Sequence, residues 1–376
     1  MIKHILKLIG GLLLGCIIGI AFAAIIVVLF TDLSLSDYLL KLRNIELGEG
    51  ILSALVAIAA LLISLPIQVI LHEGGHLVCG LMSGYQFVSF RIFNFTFIRK
   101  DGKLIIKKYA VAGTGGQCLL SPPERKLEEI PVVWYNLGGV LANFIAVLAV
   151  LPLLWVVNNP FLYEVIFIFF SLGVFFILMN GIPMKMGGIS NDAYNVFLLR
   201  KDKESKRALM VQLRANACVQ RGMRPKEMPR EWFSTATPVS YKNPLQLFLY
   251  ILDATWLLDN GEWEEAHQLF KEAYFHRAEI IGLYQKEIAC ELLFTSLVTG
   301  HNELANELYT DDLKKYITQF RKVMSSKERV ICAVSLYLEK DKEKAYKIYN
   351  NICLHQEDYL MQGEVKSDIA LMSAIL

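Results

Sequence analysis

Charge is scarce in this chain. Only 20% of its 376 residues are Asp, Glu, Lys or Arg, against 54% hydrophobic, and the mean hydropathy of +0.40 lies well to the oily side of an ordinary soluble domain. Cys16, Cys79, Cys118, Cys218, Cys290, Cys332 and Cys353 are widely scattered and include no Cys-x-x-Cys pair. That spacing argues against a disulfide framework and for free thiols in a reducing compartment. A formal net charge of +2 says nothing about nucleic acid, and with no basic stripe interleaved with aromatics no nucleic-acid partner is expected.

What the chain has instead is long apolar runs, all in its first half. A membrane-crossing helix needs about 20 such residues, and four runs qualify: 5–30, 51–71, 131–157 and 161–182. The first contains Ala21-Phe22-Ala23, which resembles a signal-peptide cleavage site, but the run is too long for a signal peptide and reads as an uncleaved helix. Pro131 suits the first turn of the third span, and Asn158-Asn159-Pro160 turns the last two into an antiparallel hairpin. Lys and Arg gather at the N-terminus, in the 86–130 loop and after residue 184, whereas the 31–50 loop has two against four acids. By the positive-inside rule both termini are cytosolic. Within the 86–130 loop, Phe87 to Ile98 is rich in β-formers and Asp101-Gly102 is a turn signal, which predicts a β-hairpin against the cytosolic face of the membrane.

The second span runs into Ile70-Leu71-His72-Glu73-Gly74-Gly75-His76. On a helix, positions four apart share a face, so His72 and His76 can offer two imidazoles to one metal ion while Glu73 reaches the attacking water. Ionisable groups at a membrane helix are costly, and three on one turn point to function. Gly74 and Gly75 either let another backbone approach the metal or serve plain helix packing. A catalytic zinc needs a third protein ligand. No other histidine lies in the membrane half apart from His4 near the N-terminus, and Glu164 sits at the far end of the fourth span. Asp192, beyond the cytosolic end of that span, is the candidate, with Glu124 and Glu128 next. It is equally an acidic first-turn residue of a following helix, one that Pro183 permits and Ser190 would cap. Cys79 reads as packing.

These features together resemble the site-2 proteases, intramembrane zinc metallopeptidases, over about residues 51–200. The family's HExxH matches as HEGGH. Its Asn-x-x-Pro segment before a metal-binding Asp matches as Asn180-Gly181-Ile182-Pro183 and then Asp192. Its Gly-x-x-x-Asn motif matches as Gly139 to Asn143, and its glycine loop as Gly113 to Cys118. The resemblance implies that His72, His76 and Asp192 bind Zn2+ and that Glu73 is the base. It also implies that Asn180 holds the substrate or the developing oxyanion, and that a strand near Gly115 and Gly116 pairs with unwound substrate. Asn143 belongs to this substrate-binding set, or else makes an interhelical hydrogen bond. Two departures stand out: Ala193 follows Asp192 where the family usually has glycine after a shorter gap, and the loops leave no room for a PDZ domain.

Residues 201–240 read as a basic, polar connector. From 241 to 376 helical pairs recur, and Ala266, Ala305 and Ala345 are each followed four positions later by Phe270, Tyr309 and Tyr349. This resembles degenerate tetratricopeptide repeats, the alternative being an ordinary helical bundle. The expected whole is a polytopic α-helical protein of the cell membrane. It has a first transmembrane helix with an outer loop (1–50), a catalytic core (51–200), the connector and a soluble all-α repeat domain. Its expected activity is zinc-dependent cleavage of a transmembrane or membrane-associated polypeptide near the cytosolic face, with the repeats binding a peptide, a protein partner or the substrate's tail. The rival is a non-catalytic scaffold that binds membrane helices and recruits partners through the repeats. A metal transporter would need more polar residues within the spans.

Overall fold

A computed structural model describes Ser34, Ser36 and residues 46–100, 103–108, 115–186, 189–234 and 239–376. The expected first span, 5–30, lies outside these residues, as do Asp101-Gly102 and Gly113-Thr114. Among the described residues, three helical segments are long and apolar enough to cross a membrane: Gly48–Met82, Leu127–Val156 and Pro160–Gly181. The chain divides into two compact units, one comprising residues 1–68 and 144–176, the other 69–143 and 177–376. Helices α1 (Leu47–Met82), α2 (Val133–Val150) and α3 (Pro160–Gly181) contribute to both.

Within the apolar helices of the first unit some polar groups turn inward while many large apolar ones face outward. Ser64 and Gln68 are buried, while Leu55, Ile58, Leu62 and Ile63 are exposed. The Gln68 amide donates to the Phe169 carbonyl at 3.0 Å, and Ser53 donates to the Glu164 carboxylate at 2.9 Å. This inside-out pattern suits lipid, where each polar group must find a partner within the protein.

The second unit begins with a continuation that the hydrophobic run did not announce. α1 does not end at His76 but runs on to Met82, so the HEGGH segment lies inside an unbroken helix. A four-stranded antiparallel sheet follows: β1 (Gln86–Ile92), β2 (Phe95–Lys100), β3 (Lys103–Lys108) and β4 (Gly116–Ser121), in the order β3-β2-β1-β4. The β-rich run 87–98 is thus two strands rather than one arm of a hairpin. Its break is at Phe93, with φ of 51°, a left-handed conformation rare for a bulky residue. β4 starts at Gly116 and forms one edge of the sheet.

After α3, two-residue strands β5 (Lys185–Met186) and β6 (Ile189–Ser190) pair and lead into α4 (Asp192–Lys201). The cap of α4 is Asn191, not the expected Ser190: its side chain accepts from the Tyr194 N–H. The connector is not polar linker but helix α5 (Lys203–Gln220). Met210, Leu213 and Ala217 pack under the sheet with Tyr85, Val88 and Leu120. Ala208, Val211, Ala215 and Val219 pack with Phe233 and Leu249.

Helical pairs stand where the repeated pattern places them: α6 (Pro244–Asn260) with α7 (Trp263–Phe275), α8 (Gly282–Val298) with α9 (Asn302–Leu308), and α11 (Ser325–Tyr337) with α12 (Lys342–Leu354). An extra helix, α10 (Asp311–Phe320), intervenes, and α13 (Gln362–Ile375) closes the chain. Ala266, Ala305 and Ala345 are fully buried. A larger side chain at such a crossing would cost about 1–3 kcal/mol in overpacking. Lys107 of β3 donates to the main-chain carbonyls of Glu357 and Tyr359, tying the sheet to the last turn before α13.

Candidate metal centre

His72 and His76 lie one turn apart on α1, and their Nε2 atoms are 3.2 Å from each other. The Asp192 carboxylate, on the first residue of α4, places Oδ2 3.2 Å from His72 Nε2 and 3.4 Å from His76 Nε2. Among the described residues this is the one set of three such side chains close enough to share an ion.

The other ring nitrogens are occupied. His76 Nδ1–H donates to the Tyr135 main-chain carbonyl at 2.8 Å; since a carbonyl only accepts, the neutral ring must carry its proton there. His72 Nδ1–H donates to Asn143 Oδ1 at 2.8 Å. Both Nε2 lone pairs therefore point at the same space as Asp192 Oδ2, a buried atom without a hydrogen-bond partner. Three electron-rich atoms facing one another repel unless a cation lies between them. A tetrahedral zinc with bonds of about 2.0–2.1 Å sets its ligand atoms about 3.3–3.4 Å apart, which matches the three observed separations. The residues fit the metal.

Glycines make the room. A Cβ on Gly139 would stand 2.6 Å from both His72 Cε1 and His76 Nε2. A Cβ on Gly75 would stand 2.1 Å from the Gly138 carbonyl, so α1 and α2 cross with backbones touching. Of the two readings of the paired glycines, Gly75 takes helix packing; Gly74 has nothing near its Cβ position.

Glu73 lies against the start of β4: a Cβ on Gly116 would come within 2.5 Å of its side chain, and Gly115 sits over Val69. The Glu73 carboxylate makes no hydrogen bond to the described residues and is only partly buried. Buried Arg91 fixes that end of β4, donating to the carbonyls of Phe93 at 2.9 Å and Gly116 at 3.2 Å. The loop carrying Asp192 is pinned by Asn191, whose amide donates to the carbonyls of Met179 and Ile182 at 2.7 and 2.6 Å.

The expected residues divide as follows. His72, His76 and Asp192 come together, with Glu73, Gly115 and Gly116 beside them. Asn143, assigned to substrate by resemblance, is fully buried behind His72, where it orients the ring and has no surface to offer a substrate. Its other reading, an interhelical hydrogen bond, describes its place. Asn180 is on the last turn of α3, partly buried. Glu124 and Glu128 are not among the converging ligands. The residues that sequence reasoning missed are Gly138, Tyr135, Arg91 and Asn191. The Gly138-Gly139 pair was visible, but not which neighbour each faces. No protein-family model, curated protein or solved structure matches the chain, so the functional reading rests on this geometry and on the sequence motifs.

Proposed function

We propose that the protein is an intramembrane zinc endopeptidase of the site-2 type, multi-pass, with both termini and the helical repeats in the cytosol. The carrying observation is the convergence of His72 Nε2, His76 Nε2 and Asp192 Oδ2 on one point, with Glu73 beside them on the same turn. The zinc, when held by these three atoms, supplies the Lewis acidity that brings the pKa of water toward ~7. Glu73, uncommitted to any hydrogen bond among the described residues, takes the proton of the attacking water and delivers it to the leaving amine. Asn143 and the Tyr135 carbonyl hold the imidazoles in the tautomer the ligands need. Asn180 steadies the developing oxyanion.

A helical substrate hides its carbonyls in its own hydrogen bonds and must unwind before cleavage. β4 offers the means, as a sheet edge starting beside Glu73 whose main chain can pair with an extended segment. The repeats, of tetratricopeptide type in this reading, engage the substrate's cytosolic flank or a partner.

The test is zinc stoichiometry on the detergent-purified full chain. About one zinc per chain is expected in the wild type and in Glu73→Gln, because the base is not a ligand. Loss is expected in His72→Ala and Asp192→Ala. A wild type without zinc would leave a membrane scaffold as the better reading, and full retention in Asp192→Ala would move the third ligand elsewhere.

A further inference from the structure

Between α5, α6, α8, α10, α11 and α13 the second unit forms a half-open cavity of about 410 Å³, in the size range of ligand sites. Its wall is mostly apolar and aromatic, with Phe248, Tyr284, Tyr316 and Phe320 among the lining side chains. Its floor is ionic. Glu287 and Glu291 face in from α8, four residues apart, and Glu364 and Asp368 face in from α13 with the same spacing. Three of these carboxylates are taken. Lys327 donates to Glu287 at 2.6 Å, and Arg329 donates to Glu291 at 2.7 Å and to Asp368 at 2.6 Å. Tyr316 also bonds Glu287, and Ser325 bonds Asp368.

Glu364 is different. It lines the cavity half-buried, with neither a hydrogen bond nor an ion pair to any described residue. Burial, and next the charge of Asp368, push its carboxyl up to about 8. Even with that proton on Glu364, three carboxylates face only Lys327 and Arg329, so the floor lacks positive charge. An apolar wall around uncompensated acid suits a cation on an apolar body, which aromatic faces also attract.

We propose that this cavity is a recognition site for an arginine or lysine flanked by apolar residues in a polypeptide, with Glu364 as the group that receives the cation. That composition is found where a membrane helix enters the cytosol, since cytosolic flanks are rich in Lys and Arg. The choice of a membrane polypeptide as the source rests on the peptidase reading; the binding chemistry does not. A free organic cation shares part of that chemistry, and the test separates the two.

The full chain in a non-ionic detergent would be titrated calorimetrically with an end-blocked Leu-Phe-Arg-Arg-Leu-Phe peptide. The same peptide with citrulline for arginine, and agmatine alone, would be titrated beside it. The arginine peptide is expected to bind, and the citrulline peptide to bind at least about tenfold more weakly, a loss of about 1.4 kcal/mol. Glu364→Gln, nearly isosteric, is expected to weaken the arginine peptide as much. Thr255→Phe, which fills the cavity without changing its charge, should weaken it too. Equal affinity for the two peptides, unchanged binding in Glu364→Gln, or no saturation by about 1 mM would overturn the proposal. Agmatine binding as tightly as the peptide would overturn the polypeptide occupant. Binding should persist in Glu73→Gln and after chelation, so its failure is distinguishable from failure of the peptidase reading.

Discussion

A main-chain carbonyl can accept a hydrogen bond but never donate one, and at His76 that asymmetry decides the chemistry. The Tyr135 carbonyl leaves the ring's Nδ1 no choice but to carry the proton, which frees Nε2 for a metal. Asn143 does the same for His72. Removing such a partner commonly costs 10–100-fold in metal affinity, so on the proposed zinc reading Asn143→Ala should weaken the metal by about that factor, read by competition with a fluorescent chelator. Unchanged affinity would mean that His72 is held by something else. Gly139→Ala should be harsher, since its methyl group would sit against both rings; zinc at wild-type occupancy in that variant would contradict the packing described here. At this scale the sequence was most readable where helix geometry alone sets the spacing, as for His72, Glu73 and His76. Asp192 was readable from its depth along the chain. The Tyr135 carbonyl was not, because main-chain oxygen has no residue-type signature, and Asn143 stayed open between a substrate contact and an interhelical hydrogen bond because a motif does not say which way a side chain faces.

Among the elements, the repeats show how local chemistry sets a turn. Gly261 and Gly300 end α6 and α8 in left-handed conformation, at φ of 91° and 84°. Lys340 stands one repeat further on, 39 and 40 residues separating the three, and holds φ of 58° without being glycine. A side chain there costs about 1–2 kcal/mol, partly offset by glycine's looser unfolded state. Lys340→Gly is therefore expected to raise stability by about 0.5–1 kcal/mol in chemical denaturation, and a lower midpoint would refute the strain. Glu364 belongs to the same scale. Its folded-state carboxyl is raised from 4.5 to about 8, so the folded form holds a proton that the unfolded chain releases. Stability from this group is fully present below about pH 4.5 and is lost as pH rises through 8. The charges facing it, Glu287, Glu291, Asp368, Lys327 and Arg329, remain in Glu364→Gln. That variant should gain in thermal midpoint over the wild type as pH goes from 5 to 8, measured by tryptophan fluorescence; parallel curves would count against the shift. The helical pairs were legible because an alanine-then-aromatic spacing repeats. The split of residues 87–98 into β1 and β2 was not, because Phe93 in left-handed conformation hides within an unbroken run of β-formers.

For the whole molecule, the expected boundary at residue 241 fails as a line of separation. α5, read as a connector from its Lys and Arg, carries buried residues toward the sheet and toward α6 alike. The charged start at 201–207 obscured an apolar middle, Ala208 to Val219, which has no solvent stripe to mark its period. Deleting 241–376 would uncover Ala208, Val211, Ala215 and Phe233 and free Lys107 from its carbonyls. The shortened chain is expected to aggregate or to lose zinc, assessed by size-exclusion profile and metal content. A monodisperse, zinc-bound fragment would show the membrane half to be self-sufficient.

The two-faced burial of α5 has a consequence for inheritance. A repeat array joined by a loose tether can be exchanged between proteins by recombination, because neither side has shaped itself to the other. Here the seam runs through a helix that both sides have moulded, so a crossover on either side of it would leave one face mismatched. Change in the C-terminal helices would have to arise by substitution in place, residue by residue, with the two halves kept together.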